Sequence, residues 1–222
     1  MSTLAQLEDR VEQTLFDIAN AIWPVAAIDE AIRQALHEYS NALPLHAETV
    51  IVAPAAGREV ALNNITGLLA VTDVIWPYES DSDEEWPPNY LRGWSLQWDD
   101  AQPLLVLTET IGAQPQIDDE LRIYYTKLHT IQNLDSAAAT TLPAHHESLI
   151  VTGAAGFAAL SRSVERAEEF NLDEKLPDRL KAWGLDRIQD FRAKLEKFSA
   201  AQRTSYGRPF GAGWRSDKWD LP

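Results

Sequence analysis

The stretch TTLPAHHESLIVTGAAGFAAL, residues 140–160, decides how this chain is built. Up to Pro143 it continues a loop read over residues 129–143. From Ala144 the apolar spacing turns helical and predicts one long helix to about Phe170, with Leu149, Ala155, Ala158 and Leu160 among its buried candidates. Gly153 and Gly156 fall inside it, where glycine costs about 1 kcal/mol against alanine. Close approach of another backbone, in this chain or in a neighbouring copy, is expected to compensate. After NLDEKLP (171–177) a second helix is predicted over 178–201. Leu180, Trp183, Ile188, Phe191, Leu195 and Phe198 form its apolar stripe, and Gly184 is expected to kink it.

Upstream, Leu4, Leu7, Val11, Leu15, Ile18 and Ile22 recur at three- and four-residue steps and predict an amphipathic helix over 3–20. Pro24 suits the first turn of a second helix with Ile28, Ile32, Ala35 or Leu36, and Tyr39 on one face, stopping before Pro44. The character then changes. Runs at 49–52, 58–62, 68–78, 93–98, 104–108 and 121–126 read as about six short strands, divided by Gly, Pro, Asn and Asp turn signals. The first two are expected to pair, and the spacing suits an antiparallel sheet or small sandwich rather than βαβ units.

The chain is therefore expected to be α+β: a four-helix bundle-like core from residues 1–46 and 129–201, an inserted antiparallel β subdomain at 47–128, and an extended C-terminal arm at 202–222.

A length of 222 residues with 45% hydrophobic content suits one domain carrying an inserted subdomain. The apolar runs are too short to span a membrane, and the N-terminus lacks the charged start and apolar stretch of a signal peptide. Zero cysteines exclude disulfides and thiolate metal sites and fit an intracellular origin. The formal net charge is −15; the arm, with four basic and two acidic residues, is +2, which leaves −17 on residues 1–201. Such a body repels nucleic acid, whose affinity comes mainly from Lys and Arg. The arm favours an acidic partner surface.

Evidence for chemistry is thin. His145, His146 and Glu147 are adjacent, with His129 near in sequence. On a helix, neighbours point about 100° apart, so the triplet cannot converge on one metal. Glu147 instead suits the positive end of a helix dipole. The acidic run Glu79, Asp81, Asp83, Glu84 and Glu85 lacks the glycine and terminal glutamate of a calcium loop and reads as a solvated connection. There is no G-x-S-x-G elbow and no phosphate-cradling glycine loop. The expectation is no enzyme, no cofactor and no metal site. Trp76, Trp86, Trp94 and Trp98 crowd the β region, with Trp94 and Trp98 on one strand face. They suit a core or an interface, or rings stacking on sugar.

The C-terminal arm reads QRTSYGRPFGAGWRSDKWDLP (202–222). Tyr206, Phe210, Trp214 and Trp219 are near-evenly spaced, with glycines, Pro209, Arg208 and Arg215 between them. Glycine and proline forbid a long regular element, while the aromatic content is too high for a solvated linker. Aromatics on such an arm suit pockets on another surface, or a terminus folded back on its own domain.

Taken together, the opening helices with IDEAIRQALHEYS (28–40), a β region ending in LRIYYTKLHTI (121–131), the quoted 140–160 segment, and a last helix followed by an arm resemble the phage head-to-tail adaptor (connector) proteins, the group that includes tail tubular protein A of short-tailed phages. The resemblance is nearly full-length and lies in order and texture rather than in a motif. It implies a virion structural protein of the neck and tail, assembled in the host cytoplasm. It implies a homo-oligomeric ring, a dodecamer, between the portal protein and a downstream tail or nozzle protein. DNA passes through such a ring during ejection without specific binding. On this reading Tyr206, Arg208, Phe210, Trp214, Arg215 and Trp219 bind the portal. The alternatives are a head-completion stopper, or a carbohydrate-binding module using the sheet tryptophans.

Overall fold

A computed structural model of the chain describes residues 2–79, 90–100, 102–108, 114–167 and 175–205, the side chains of 166, 167, 175, 176 and 203–205 excepted. The arm, from Tyr206 on, lies outside the described residues, as do Trp86 and most of the acidic run at 79–85. The described residues hold four helices and two small antiparallel sheets, an α+β fold as expected. They divide into two compact units. One comprises the described residues of Met1–Leu43, Ile131–Ala138 and Leu142 onward; the other comprises Pro44–Thr130 with Ala139–Thr141.

In the helical unit, α1 spans Leu4–Leu15, with the Thr3 N–H donating to Gln6 Oε1 at 3.0 Å across its first turn. The expected helix over 3–20 therefore stops five residues early. Phe16 takes a left-handed conformation (φ 57°), and the Asp17 N–H reaches back to the Glu12 carbonyl at 3.0 Å, the hydrogen bond of a Schellman stop. The Asp17 carboxylate then accepts the N–H groups of Ala21, Ile22 and Trp23 at 3.0, 2.8 and 2.8 Å. A short acidic side chain that satisfies three backbone donors makes a loop competitive with continued helix. Ile18 and Ile22, expected on the buried face, are consequently exposed.

Helix α2 (Val25–Ala42) starts after Pro24 and buries Ile28, Ile32, Ala35, Leu36 and Tyr39, as the period predicts. A single 3₁₀ turn at Ala144–His146 leads into α3 (Glu147–Ala167), and α4 runs Lys175–Ser205. The last helix is longer at both ends than the expected 178–201. Pro177 sits in its first turn, where an N–H has no intrahelical acceptor to lose. All four helices contribute to one core, with Leu7, Val11, Ile28, Tyr39, Ile150, Ala155 and Phe191 among its members. Ile188, Phe191 and Leu195 of the expected α4 stripe are buried and Leu180 and Trp183 partly so, whereas Phe198 is 39% exposed.

In the β unit, β1 (Leu45–Val52), β6 (Glu120–Lys127) and β3 (Leu68–Tyr78) form one sheet with β6 central. The other sheet is β2 (Glu59–Ala61), β5 (Gln102–Leu107) and β4 (Trp94–Asp99), with β5 central. The six strands match the six expected runs. The expected pairing of the first two does not occur. β1 pairs along its whole length with β6, from Leu45↔Lys127 to Val52↔Glu120, while β2 pairs Val60 with Leu105 in the other sheet. Both sheets supply one core, Val60, Leu105 and Leu107 from one and Val74, Leu121 and Ile123 from the other, which is the small sandwich of the two sheet arrangements expected.

Candidate interaction surfaces

The expected partner-binding residues Tyr206, Arg208, Phe210, Trp214, Arg215 and Trp219 all lie outside the described residues. What the structure does place is the helix that leads to them. Helices α3 and α4 meet glycine to glycine. A Cβ on Gly184 would lie 2.9 Å from the Gly156 carbonyl oxygen, and one on Gly156 would lie 3.0 Å from the Gly184 carbonyl and 2.9 Å from Ile188 Cγ1. A Cβ on Gly153 would meet the Phe191 ring at 3.0 Å. The close backbone approach expected for the two glycines is made within the chain at Gly156, against Gly184, whereas Gly153 makes room for the Phe191 ring. Gly184, expected to kink α4, instead lets the helix run unbroken against α3.

His145 and His146 fall in the 3₁₀ turn ahead of α3, with their ring centroids 4.1 Å apart. His146 is buried and its Nδ1 lies 2.6 Å from the Tyr39 hydroxyl; burial pushes Tyr39 up to about 12. His145 is exposed. His129 sits in the other unit with its Nδ1 3.2 Å from the Thr141 carbonyl and hydroxyl oxygens. Glu147, at the start of α3, accepts the Ser2 N–H at 2.8 Å and the Ser2 hydroxyl at 2.7 Å, and pairs with Arg10 at 3.0 Å. Burial opposes its charge, but these bonds and the Arg10 cation prevail and hold it below the usual carboxylate range. It clasps the N-terminal segment to α3. Among the described residues no group of His, Asp and Glu is arranged to hold a metal ion.

Three of the β-region tryptophans, Trp76, Trp94 and Trp98, lie among the described residues. Trp76 is buried, Trp94 is half-buried against the β core, and Trp98 at the far end of the same strand is 57% exposed. Several surface cations are held by carboxylates. Arg33 grips Asp135 through Nε at 3.0 Å and Nη2 at 2.7 Å, Arg192 grips Glu38 at 2.9 and 2.6 Å, and Arg122 pairs with Glu48 at 3.0 Å. Arg162 and Lys194 pair along their own helices with Glu165 and Asp190. Cations already held by carboxylates are poor phosphate ligands, in keeping with the formal charge of −15.

Two features were not legible in the sequence. The first is the turn between α1 and α2. Its tip exposes Phe16 (93%), Ile18 (76%), Ile22 and Val25, while the Asp17 carboxylate inside pins the backbone. The Trp23 N–H, then those of Ile22 and Ala21, keep Asp17 below its usual range despite burial. The Asp17–Pro24 spacing was its only sequence signal, and the helical period of Ile18 and Ile22 masked it. The second is a carboxyl pair. Glu8 of α1 is pushed up to about 7, first by burial, then by a hydrogen bond and charge from Asp29 of α2, with Glu12 and Asp9 adding to it. Every group acting on Glu8 is acidic, so the pair holds a proton that separate carboxylates would release.

No known family model matches the chain, and no curated protein matches it. Among solved structures it is similar to a chain from the neck of an empty GTA particle computed with C6 symmetry, at TM-score 0.32 and 15% identity over 81% of this chain and 87% of that one. It is similar to a chain from the virion of a native gene transfer agent (GTA) particle, at 0.31 and 15% over 80% and 88%. A chain from the neck of a native GTA particle computed with C12 symmetry follows at 0.29 and 14% over 80% and 87%. Likeness at these scores carries no argument about function.

Proposed function

We propose that this chain is a non-enzymatic structural subunit of a phage-like neck, a head-to-tail adaptor whose copies form a ring between portal and tail and line the DNA channel. The observation that carries the reading is the assembly of one helical core from both parts of the chain. Helices α1 and α2 from before the β unit pack with α3 and α4 from after it. That is the layout the family resemblance rests on, and a basic-aromatic tail follows it directly.

Each part suits the task. The tight seam between α3 and α4 gives the arm a rigid root. The β unit, with its own core, offers a separate surface for the next tail component. An acidic wall, with several of its arginines held in ion pairs, lets DNA slide without sticking. In the arm, Tyr206, Phe210, Trp214 and Trp219 dock in portal pockets while Arg208 and Arg215 meet acidic groups there.

The test is removal of residues 203–222 and measurement of co-sedimentation with purified portal rings. The expected result is loss of portal binding with the helical fold intact by circular dichroism. Undiminished binding by the truncated chain would overturn the role given to the arm.

A further inference from the structure

Phe16 is the most exposed large apolar side chain among the described residues, and it occupies a backbone position that favours glycine. A bulky residue there is strained and wets its whole ring, so folding alone does not account for it. The turn that bears it is braced by Asp17, whose carboxylate accepts three successive backbone donors. A preorganised loop with apolar residues at its tip is a docking element.

A second exposed feature lies on α4. Lys181, Leu185, Gln189, Ala193 and Lys197 follow one another at four-residue steps and are all exposed, forming a ridge with Leu185 and Ala193 on either side of Gln189 and a cation at each end. Neither lysine has an ion-pair partner among the described residues. Beside Phe16, Asp9 and Gln13 are exposed on α1, and Asp9 is likewise without such a partner among the described residues. The charges of the two regions oppose. Residues 1–43 hold seven acidic and two basic groups, whereas 175–205 hold eight basic and four acidic. Within one chain α1 packs mainly on α3 and α2, while α4 packs mainly on α3.

We infer that the Phe16 turn of one copy docks on the Lys181–Lys197 ridge of α4 in the next copy, with Phe16 and Ile18 against Leu185 and Ala193 and the α1 acids against the ridge lysines. Two different complementary patches on one subunit give a head-to-tail contact, which propagates and closes as a ring. The inference rests on the ring proposed above and names the contact that builds it.

The absence of cysteine makes the test clean. Ile18→Cys and Leu185→Cys are introduced into the full chain singly and together, and oxidised at a series of concentrations, free and portal-bound. The double variant is expected to give a ladder of disulfide-linked copies, and neither single variant any. In parallel, Phe16→Asn is expected to raise the melting temperature by relieving the left-handed strain while weakening self-association on the order of tenfold. Oligomers that form without the double-variant ladder, or that link equally through Ile18→Cys alone, overturn this contact and leave the ring standing. A chain that stays monomeric throughout, free and on the portal, overturns both.

Discussion

Glu8 shows how one residue ties stability to pH. Its carboxyl sits between α1 and α2 beside Asp29, with Glu12 and Asp9 on its own helix. In the unfolded chain it titrates near 4.5; in the folded protein it holds its proton to about 7. A raised carboxyl pKa favours the native state below the unfolded value, and that contribution is lost as pH rises through the folded one. Stability is therefore expected to fall between pH 4.5 and about 7 as the helical hairpin takes on a second charge at this spot. Glu8→Gln keeps the hydrogen-bonding shape without the charge. Its urea-unfolding midpoint is expected to be flatter across that window and higher than that of the parent above it. A midpoint with the same pH slope in both proteins would show that the pair does not carry the effect. Asp17 works in the opposite sense: its backbone donors stabilise the carboxylate, so its contribution is present above its unfolded pKa and disappears in acid.

Among the elements, the α3–α4 seam is the sharpest feature. Alanine in place of Gly184 gains about 1 kcal/mol of helix propensity in an isolated helix. Here it places a Cβ 2.9 Å from a backbone oxygen, which can yield only if the helices move apart. Gly184→Ala is expected to destabilise by about 1–3 kcal/mol, the usual cost of overpacking, measured by urea unfolding. A neutral or stabilising result would mean that the helices do not pack as described. The sequence already pointed to this seam through Gly153 and Gly156, because glycine in a helix interior needs a reason. It also revealed α2 and all six strands, whose apolar periods are set by burial alone. It misplaced the end of α1, where Ile18 and Ile22 keep a helical period but Asp17 offers the backbone a better set of bonds. It likewise mispaired β1 with β2. Alternation says which face of a strand is buried, not which strand lies beside it, and the partner of β1 is β6, which is far along the chain, from Leu45↔Lys127 to Val52↔Glu120.

For the whole molecule, charge and layout are the informative quantities. A formal charge of −15 on 222 residues is a strong statement about partners: it opposes phosphate-backbone affinity and favours apolar docking and local cation patches as the source of contacts. Those patches lie on α4 and, in sequence, on the arm that follows it. A channel wall needs the first property and a ring subunit the second. The measurement that bears most directly on this account is the mass and symmetry of the purified chain by electron microscopy, with and without portal rings. The account predicts closed rings of many copies with a central channel, seated coaxially on the portal. Isolated single copies on the grid, with portal rings left bare, would contradict it.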